Sequence, residues 1–243
     1  MKYLVQTNNI TEEKDKVLDY NRVILDNTDN SVYVVKSEGY KLIDLGLPSG
    51  TLWMDRNIGA EKPEDAGLYF AWGETQGYSG INSDKQFIWT DYKYCNGAYD
   101  KLTKYCNDSS YGNDGYTDSL TTLETTDDAA YAYTNGKCKT PTKTQLQELI
   151  DETIYTKITK DGVNGSLFTS KANSNSIFVP AAGHCYNGSQ YGVGEFGFLW
   201  SSSLYDFTPY NAFHCFLYGG GADTFYFDYH CQGEPVRGVF KND

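Results

Sequence analysis

Residues 42–53 of the chain read LIDLGLPSGTLW, and this stretch indicates how the fold begins. An apolar run is interrupted by Gly46, Pro48 and Gly50, which are residue types that favour tight turns. Apolar residues then return at Leu52 and Trp53. Two short apolar runs around a turn of this kind are typical of paired strands, so we expect a strand, a turn and a second strand here.

Two other segments predict helices. Thr142 and Gln145 form a capping box of the form T-x-x-Q, and apolar residues then recur at helical spacing over 146–150. A shorter helix is expected over residues 63–67, where a proline precedes two acidic residues.

The remaining signals are short strands and loops. Apolar runs broken by Gly and Ser predict strands near residues 176–180, 197–200, 212–217 and 236–240. Residues 76–136 are rich in Gly, Asn, Asp and Tyr, and such a long irregular stretch is usually functional or held by its own packing. The chain therefore has an α+β pattern with short strands, few helices and long irregular loops.

Residues 1–38 differ from the rest of the chain. Residues 11–18 could open a short helix, and residues 23–25 and 32–35 read as short strands. The segment is too small to bury a good core by itself. We expect it to be an attachment or oligomerisation segment in front of a main domain at 39–243; the alternative is a strand pair packed on that domain.

The composition excludes several classes of protein. The chain of 243 residues has 32 acidic and 20 basic residues and a net charge of −12, which disfavours binding to nucleic acid. No apolar run reaches the roughly 18 residues of a membrane span, and we expect neither membrane insertion nor a signal peptide. Aromatic residues make up 16%, with 22 Tyr. Tyr, Ser, Gly and Asn are typical of recognition surfaces, and also of loop-rich architectures.

Six cysteines and three histidines are the candidate metal ligands. No CxxC motif occurs, and without a signal peptide we expect the cysteines to be reduced. Each histidine precedes a cysteine, but adjacent residues on a strand point to opposite faces and the spacing between pairs is irregular. We therefore predict no metal site and no cofactor. The pairs are His184-Cys185, His214-Cys215 and His230-Cys231.

Several blocks of the chain resemble one family. The block at 42–53 is similar to the opening of the Fibrobacter succinogenes major paralogous domain, which is common in Bacteroidetes and their phages. The resemblance covers about residues 40–243 and implies a C-type-lectin-like fold of the formylglycine-generating-enzyme branch. The further blocks, in order, are NIGA at 57–60, PED at 63–65, YFAWGET at 69–75, PT at 141–142, EL at 148–149, SIFVPAAG at 176–183, LWSSS at 199–203 and VRGV at 236–239.

That fold hosts enzymes, lectins and displayed binding proteins, so it does not by itself define a function. An oxidase like the formylglycine-generating enzyme would use two cysteines that bind copper; Cys215 and Cys231 have no matching motif around them, and we predict no catalytic residues. A calcium-dependent lectin would need a Glu-Pro-Asn or Gln-Pro-Asp triplet, but Glu234 and Pro235 precede Val236. Sugar binding by aromatic stacking stays open.

The third class is the variable protein of a diversity-generating retroelement. In such proteins the adenines of Asn codons of the form AAC are randomised to NNC, which cannot encode Lys, Glu, Gln, Met or Trp. Residues 204–231 read LYDFTPYNAFHCFLYGGGADTFYFDYHC and contain none of the five types in 28 positions. We therefore predict a variable region at 204–231. The alternative is an ordinary aromatic strand–loop–strand end of the domain.

The resemblance and the composition together predict a non-enzymatic protein that binds a ligand or receptor through this surface. A phage tail or virion is the expected setting, and a bacterial displayed protein is the second. The expected partner is a protein or glycan receptor on a target cell, and a homo-oligomer is compatible with this role.

Side chains that alternate with core positions Ala212, Phe216 and Val236 are expected to face outward. The predicted contact residues are Tyr205, Asp206, Phe207, Tyr210, Asn211, Phe213, His214, Tyr218, Asp223, Phe225, Phe227, Tyr229 and His230.

Overall fold

Short antiparallel strands dominate the computed structural model, which describes residues 23–26, 31–34 and 39–240. The described strands are β1 (Val23–Asp26), β2 (Ser31–Val34), β3 (Lys41–Asp44), β4 (Leu52–Met54), β5 (Tyr69–Phe70), β6 (Thr153–Lys160), β7 (Val163–Ser170), β8 (Ser176–Pro180), β9 (His184–Tyr186), β10 (Ser189–Tyr191), β11 (Gly197–Leu204), β12 (Asn211–Tyr218), β13 (Gly221–Tyr229), β14 (Glu234–Pro235) and β15 (Val239–Phe240). With few helices beside them, they make a mixed, sheet-rich fold.

One sheet unites the two ends of the described chain. Its strand order is β1-β2-β3-β4-β15. The strand–turn–strand prediction is confirmed, since Leu42 pairs with Met54 and the turn closes with a 2.8 Å bond from Gly50 N to Leu47 O. The strand predicted at 236–240 is shorter than expected and is reduced to β15, which pairs with β4.

The N-terminal strands extend this sheet. β1 and β2 lie where strands are predicted, and β2 pairs with β3 over Ser31–Ile43, Val32–Leu42 and Tyr33–Lys41. The predicted segment at 1–38 therefore shares a sheet with the main domain through its second strand, which is the geometry of the strand-pair alternative. The helix predicted at 11–18 lies outside the described residues.

The capping box predicts the longer helix correctly. The described helices are α1 (Ala129–Tyr133) and α2 (Lys143–Glu152). At the start of α2, Thr142 Oγ1 accepts from Gln145 N at 3.2 Å and Gln145 Oε1 accepts from Thr142 N at 2.9 Å. Neither helix is long and apolar enough to cross a membrane, within the part of the chain that is described.

The helix predicted at 63–67 is wrong, since residues 63–65 form a turn and a bend and residues 66–67 have no regular structure. Asp65 Oδ2 accepts hydrogen bonds from the backbone N–H groups of Glu61 and Lys62, both at 3.2 Å. An aspartate that bonds nearby backbone in this way offers an alternative to helical bonding. Glu64 forms an ion pair with Lys160 of β6 instead of stabilising a helix N-terminus.

The irregular stretch at 76–136 is confirmed and is held by buried polar groups. Apart from α1, its described helical turns are the short 3-10 segments Trp89–Asp91, Asn113–Gly115 and Thr125–Asp127. Buried Asp127 accepts from the hydroxyls of Tyr94 and Tyr105 and forms an ion pair with Lys104 at 2.5 Å. One carboxylate therefore ties three separate points of the loop together.

Two further three-stranded sheets have the orders β6-β7-β8 and β11-β12-β13, and two-stranded sheets pair β9 with β10 and β5 with β14. The β11-β12-β13 sheet is covered on both faces. Cys215 and Leu217 of β12 pack in the core cluster that contains Leu146 and Leu149 of α2. On the other face, the His214 ring lies 5.9 Å from Trp200, which belongs to the second cluster.

Two buried tryptophans connect β11 to β5 reciprocally. Trp72 Nε1 donates to Ser201 O at 2.7 Å, and Trp200 Nε1 donates to Phe70 O at 2.8 Å. Each indole therefore satisfies a backbone carbonyl beside the other tryptophan. These residues belong to the YFAWGET and LWSSS blocks, so two sequence blocks about 130 positions apart are bonded to each other.

Other blocks interlock in the same way. Glu148 of α2 accepts from Ser49 N at 2.8 Å and from Ser49 Oγ at 2.5 Å, which fixes the first turn on the helix. Fully buried Arg237 donates to Asn57 Oδ1 at 3.0 Å and to Phe178 O at 2.8 Å. Hydrogen bonds thus join several sequence blocks that lie far apart in the chain.

The indole bonds predict a specific pattern of destabilisation. Trp200→Phe removes ring volume and leaves the buried Phe70 carbonyl without its donor. Trp53→Phe removes the same ring atoms, but the indole N–H of Trp53 has no hydrogen-bond partner to lose. We expect Trp200→Phe to lower the free energy of unfolding by about 1–3 kcal/mol more than Trp53→Phe, as measured by urea denaturation. Equal losses in the two variants would show that the reciprocal bonds add nothing to packing.

Candidate functional site

Residues 204–231 form the end of β11, a loop, and the β12–β13 hairpin. Their exposure is mixed. Of the predicted contact residues, Asp206, Phe207, Phe227 and Tyr229 are exposed, whereas Tyr205, Tyr210, Tyr218 and Asp223 are half-buried. Phe225 lies in β13, and its side chain is outside the described part.

The expected outward orientation is wrong for Asn211, Phe213, His214 and His230, which are buried. Asn211 closes the loop before β12, since its Nδ2 donates to Thr208 Oγ1 at 2.8 Å and its carbonyl accepts from Tyr205 N at 3.0 Å. His230 is fully buried and stacks on Trp72 with ring centroids 4.4 Å apart.

Phe213 and His214 are buried because both faces of this sheet are covered. Phe213 lies under the Lys143 ammonium of α2, which is 3.5 Å from its ring centroid. His214 faces the core on the opposite side and is bonded to Glu234. Conversely, Phe216 was expected in the core and is only half-buried, with its ring 5.1 Å from Tyr226.

Two exposed phenylalanines pack with a half-buried tyrosine and a buried phenylalanine in a group that we call the phenylalanine patch, composed of Tyr205, Phe207, Phe213 and Phe227. Tyr205 is at its centre and stacks on Phe227 at 3.9 Å, with Phe213 at 5.0 Å and Phe207 at 5.5 Å. Phe207 is 80% exposed and Phe227 is 42% exposed. Phe213 is buried beneath the Tyr205 ring. Phe207 and Phe227 leave apolar ring surface in contact with solvent.

A second group, the tyrosine cluster, includes one residue of β13. It contains Trp89, Tyr99, Tyr111, Tyr186, Tyr210 and Tyr229. Tyr229 is two residues from Phe227 and so shares its face of the strand. The Tyr210 ring lies 5.2 Å from Tyr99 and 5.1 Å from Tyr111, and Tyr229 lies 5.8 Å from Trp89.

The tyrosine cluster includes residues that the sequence prediction missed. Trp89, Tyr99 and Tyr111 come from the irregular stretch at 76–136, and no local pattern shows that they pack on Tyr229 or Tyr210. Tyr226 was also missed, although it is 48% exposed. Its alternation with Phe227 on a strand was the available signal, because neighbours on a strand face opposite sides.

Beneath Tyr226 lies a group that we call the histidine–carboxylate cluster, formed by His214, Asp228 and Glu234. His214 Nδ1 is 2.6 Å from Glu234 Oε1 and 3.6 Å from Asp228 Oδ2. Burial lowers the pKa of His214 to about 4, so the imidazole is neutral near pH 7. Burial, together with the neighbouring Glu234, raises the pKa of Asp228 to about 7, and burial raises that of Glu234 well above its ordinary value.

The residues considered for the other functions lie in the interior. Cys215 and Cys231 are fully buried and belong to different core clusters, and burial raises the pKa of both thiols. Glu234 and Pro235 form β14, which pairs with β5, and the Glu234 side chain is directed at His214. This glutamate is therefore committed to an internal contact and is not presented to solvent as a lectin triplet would be.

Comparison with protein-family models, with curated proteins and with solved structures finds no match to this chain.

Because His184 of β9 is largely buried, we expect the free energy of unfolding to depend on pH. Its ring packs 4.7 Å from Phe198, and burial lowers its pKa from the ordinary 6.5 to about 4. Between pH 6.5 and about pH 4, His184 therefore binds a proton in the unfolded chain but not in the folded protein. The free energy of unfolding should therefore fall as the pH is lowered from 6.5 to about 4. The upper limit for one residue is about 1.4 kcal/mol per pH unit. The actual slope should be smaller, because the His184 ring is not fully buried.

The test compares wild type with His184→Phe by urea denaturation at several pH values between about 6.5 and 4. The variant should show the shallower loss of stability at low pH, since Phe cannot bind a proton. Parallel curves for the two proteins would contradict the assignment of this proton to His184.

Proposed function

We propose that the protein is a non-enzymatic binding protein with a C-type-lectin-like fold that recognises a receptor through the phenylalanine patch and the tyrosine cluster. The observation that carries the proposal is the exposure of stacked aromatic rings on residues 205–229, above all Phe207 and Phe227. Contiguous apolar surface that a protein leaves in water commonly marks an interaction site.

The chemistry of these rings suits recognition. Tyrosine combines a large apolar face with a hydroxyl and has few rotatable bonds to immobilise on binding. Phe207 extends from a loop, while Phe227 and Tyr229 lie on a strand whose neighbour β12 is packed against α2 and the core. Such an arrangement presents adaptable side chains on a backbone that other contacts hold in place.

The family resemblance supplies the biological setting of the proposal. We propose that residues 204–231 are diversified by a retroelement, that the protein is displayed on a phage tail or on a bacterial surface, and that its partner is a protein or glycan receptor on a target cell. The interlocking of the resemblance blocks supports this reading, since a bonded scaffold would tolerate changes at exposed positions of the hairpin.

The buried residues restrict which positions could vary. Asn211, Phe213, His214 and His230 have structural contacts, so the proposed contact set is reduced to the exposed and half-buried residues and enlarged by Tyr226 and Tyr99. An oxidase function has no support from Cys215 and Cys231, whose thiols are buried in separate clusters.

The proposal predicts that Phe207 is dispensable for stability and necessary for binding. Phe207→Ser should change the free energy of unfolding by less than about 0.5 kcal/mol, because the side chain is almost entirely in solvent. Binding of the fluorescently labelled protein to a panel of intact bacterial cells, Bacteroidetes included, should weaken at least about tenfold. Flow cytometry with a concentration series measures this.

Ile154→Ser is the matched control, because Ile154 is an exposed apolar residue of β6 outside both aromatic groups. It should bind as wild type does. Equal binding by wild type and Phe207→Ser would contradict the proposed surface, and so would the lack of saturable wild-type binding to every cell type in the panel.

A further inference from the structure

The histidine–carboxylate cluster has the composition of a cation site and does not depend on the proposed receptor-binding function. Its three donor atoms come from three strands: His214 from β12, Asp228 from β13 and Glu234 from β14. All three atoms lie within 4.8 Å of one another. Protein ligands bound at about 2.0–2.2 Å to one zinc-like ion are about 3–4 Å apart, so only small side-chain shifts separate this arrangement from a coordinated one.

The positions of these ligands are set by backbone pairing. Ala212 pairs with Asp228 and His214 pairs with Tyr226 across β12 and β13, which places Asp228 and His214 on the same face. Glu234 pairs with Phe70 of β5 and is thereby held against that face. Three independent strands therefore direct their donors toward one point.

The cluster brings a buried and a half-buried carboxyl group together without a lysine or arginine of the described chain, and burial favours their neutral, protonated forms. Among the described residues, the only basic side chain that pairs with either carboxylate is His214, and no lysine or arginine does so. Glu234 is fully buried, and its Oε2 atom has no hydrogen-bond partner. A buried carboxylate oxygen without a partner is costly, and either a proton or a metal ion would relieve that cost.

The surroundings provide orientation and access. Gln232 Nε2 donates to Asp228 Oδ1 at 2.8 Å, which leaves Oδ2 directed at His214. Hydrogen bonds of this kind orient metal ligands in known sites. The Asp228 side chain is 26% exposed, whereas those of His214 and Glu234 are at most 3% exposed, so solvent reaches the cluster through Asp228.

We propose that His214, Asp228 and Glu234 bind one first-row divalent cation of the zinc or manganese type. The imidazole nitrogen favours these ions over calcium, which prefers oxygen ligands alone. On binding, the Glu234 carboxyl group loses its proton to solvent, the neutral imidazole of His214 keeps its one proton on Nε2, and the ion bonds to His214 Nδ1, Glu234 Oε1 and Asp228 in place of the hydrogen bond between the first two. Cys215 takes no part, because it faces the opposite side of β12.

The proposed site is not built from the His-Cys pairs of the sequence. His214 and Cys215 point to opposite faces of β12, whereas His230 and Cys231 lie in the turn that follows β13. The cluster instead combines one of those histidines with two carboxylates that are 14 and 20 positions further along the chain. Strand pairing, which the sequence pattern does not reveal, brings them together.

The test titrates the full chain with Zn²⁺ and separately with Mn²⁺ by isothermal titration calorimetry, and counts bound metal after dialysis by mass spectrometry. Wild type should bind one ion per chain. Asp228→Asn should weaken binding at least about tenfold. Loss of a residue that only orients a ligand already weakens metal binding by about 10–100-fold, and Asp228 is itself a proposed ligand. Asp206→Asn, which removes an exposed carboxylate of the same region, should bind as wild type does.

Two controls keep the result specific. Cys95 is the half-exposed cysteine among the described residues, so the zinc titration is repeated on Cys95→Ser, which should retain the site. If Asp228→Asn fails to fold by circular dichroism, Gln232→Ala replaces it and should weaken binding in the same direction. Failure of wild type to bind either ion at about millimolar concentration would overturn the proposal. The three side chains would then be held together by shared protons alone. Undiminished binding by a folded Asp228→Asn variant would also overturn the proposal.

Discussion

The reciprocal bonds of Trp72 and Trp200 are the constraint on which the rest of the structure depends. Each indole occupies the core and also satisfies a buried carbonyl beside the other, so β5 and β11 can approach only in one register. β11 is the first strand of the sheet that contains the aromatic hairpin. β5 pairs with β14, which supplies Glu234. The two tryptophans thus position the hairpin and the strand beneath it at the same time.

This constraint explains why the hairpin is divided into interior and surface. One face of β12 is closed by α2, and the other is closed by Trp200 and the β5–β14 pair. Among the described residues of 204–231, the exposed ones are Asp206 and Phe207 of the loop, Gly219 and Gly220 of the hairpin turn, and Tyr226, Phe227 and Tyr229 of β13. The exposed aromatic residues pack on one another or on the irregular stretch and keep part of their surface in solvent, whereas Phe213 and His230 are buried in structural contacts. The same stretch of sequence therefore contains candidate receptor contacts and candidate metal ligands.

Features that depend on nearby residues could be predicted from the sequence. The Thr142–Gln145 capping box defines the start of α2, and residues 42–53 form the expected strand pair, because both depend on bonds between neighbours in the chain. The turn at 63–67 was mispredicted since the Asp65 side chain competes for the backbone that a helix would use.

The candidate sites were only partly predictable for a different reason. Alternation on β12 correctly separates His214 from Cys215, but alternation cannot show that both faces of that strand are covered. The tyrosine cluster and the histidine–carboxylate cluster each combine residues that are far apart in sequence, and their proximity results from strand pairing and loop packing. Composition identified the aromatic stretch, and the structure separates its exposed part from its buried part.

Sequencing of the gene and its neighbourhood tests the central claim most directly, namely that the scaffold presents a diversified surface at 204–231. The account predicts a nearby reverse transcriptase gene and a near-copy of the coding stretch that differs at adenines. The differing codons should include those of exposed residues such as Phe207, Phe227 and Tyr229, and should exclude Trp72, Trp200 and Glu234. A locus with neither the reverse transcriptase nor the near-copy would contradict it.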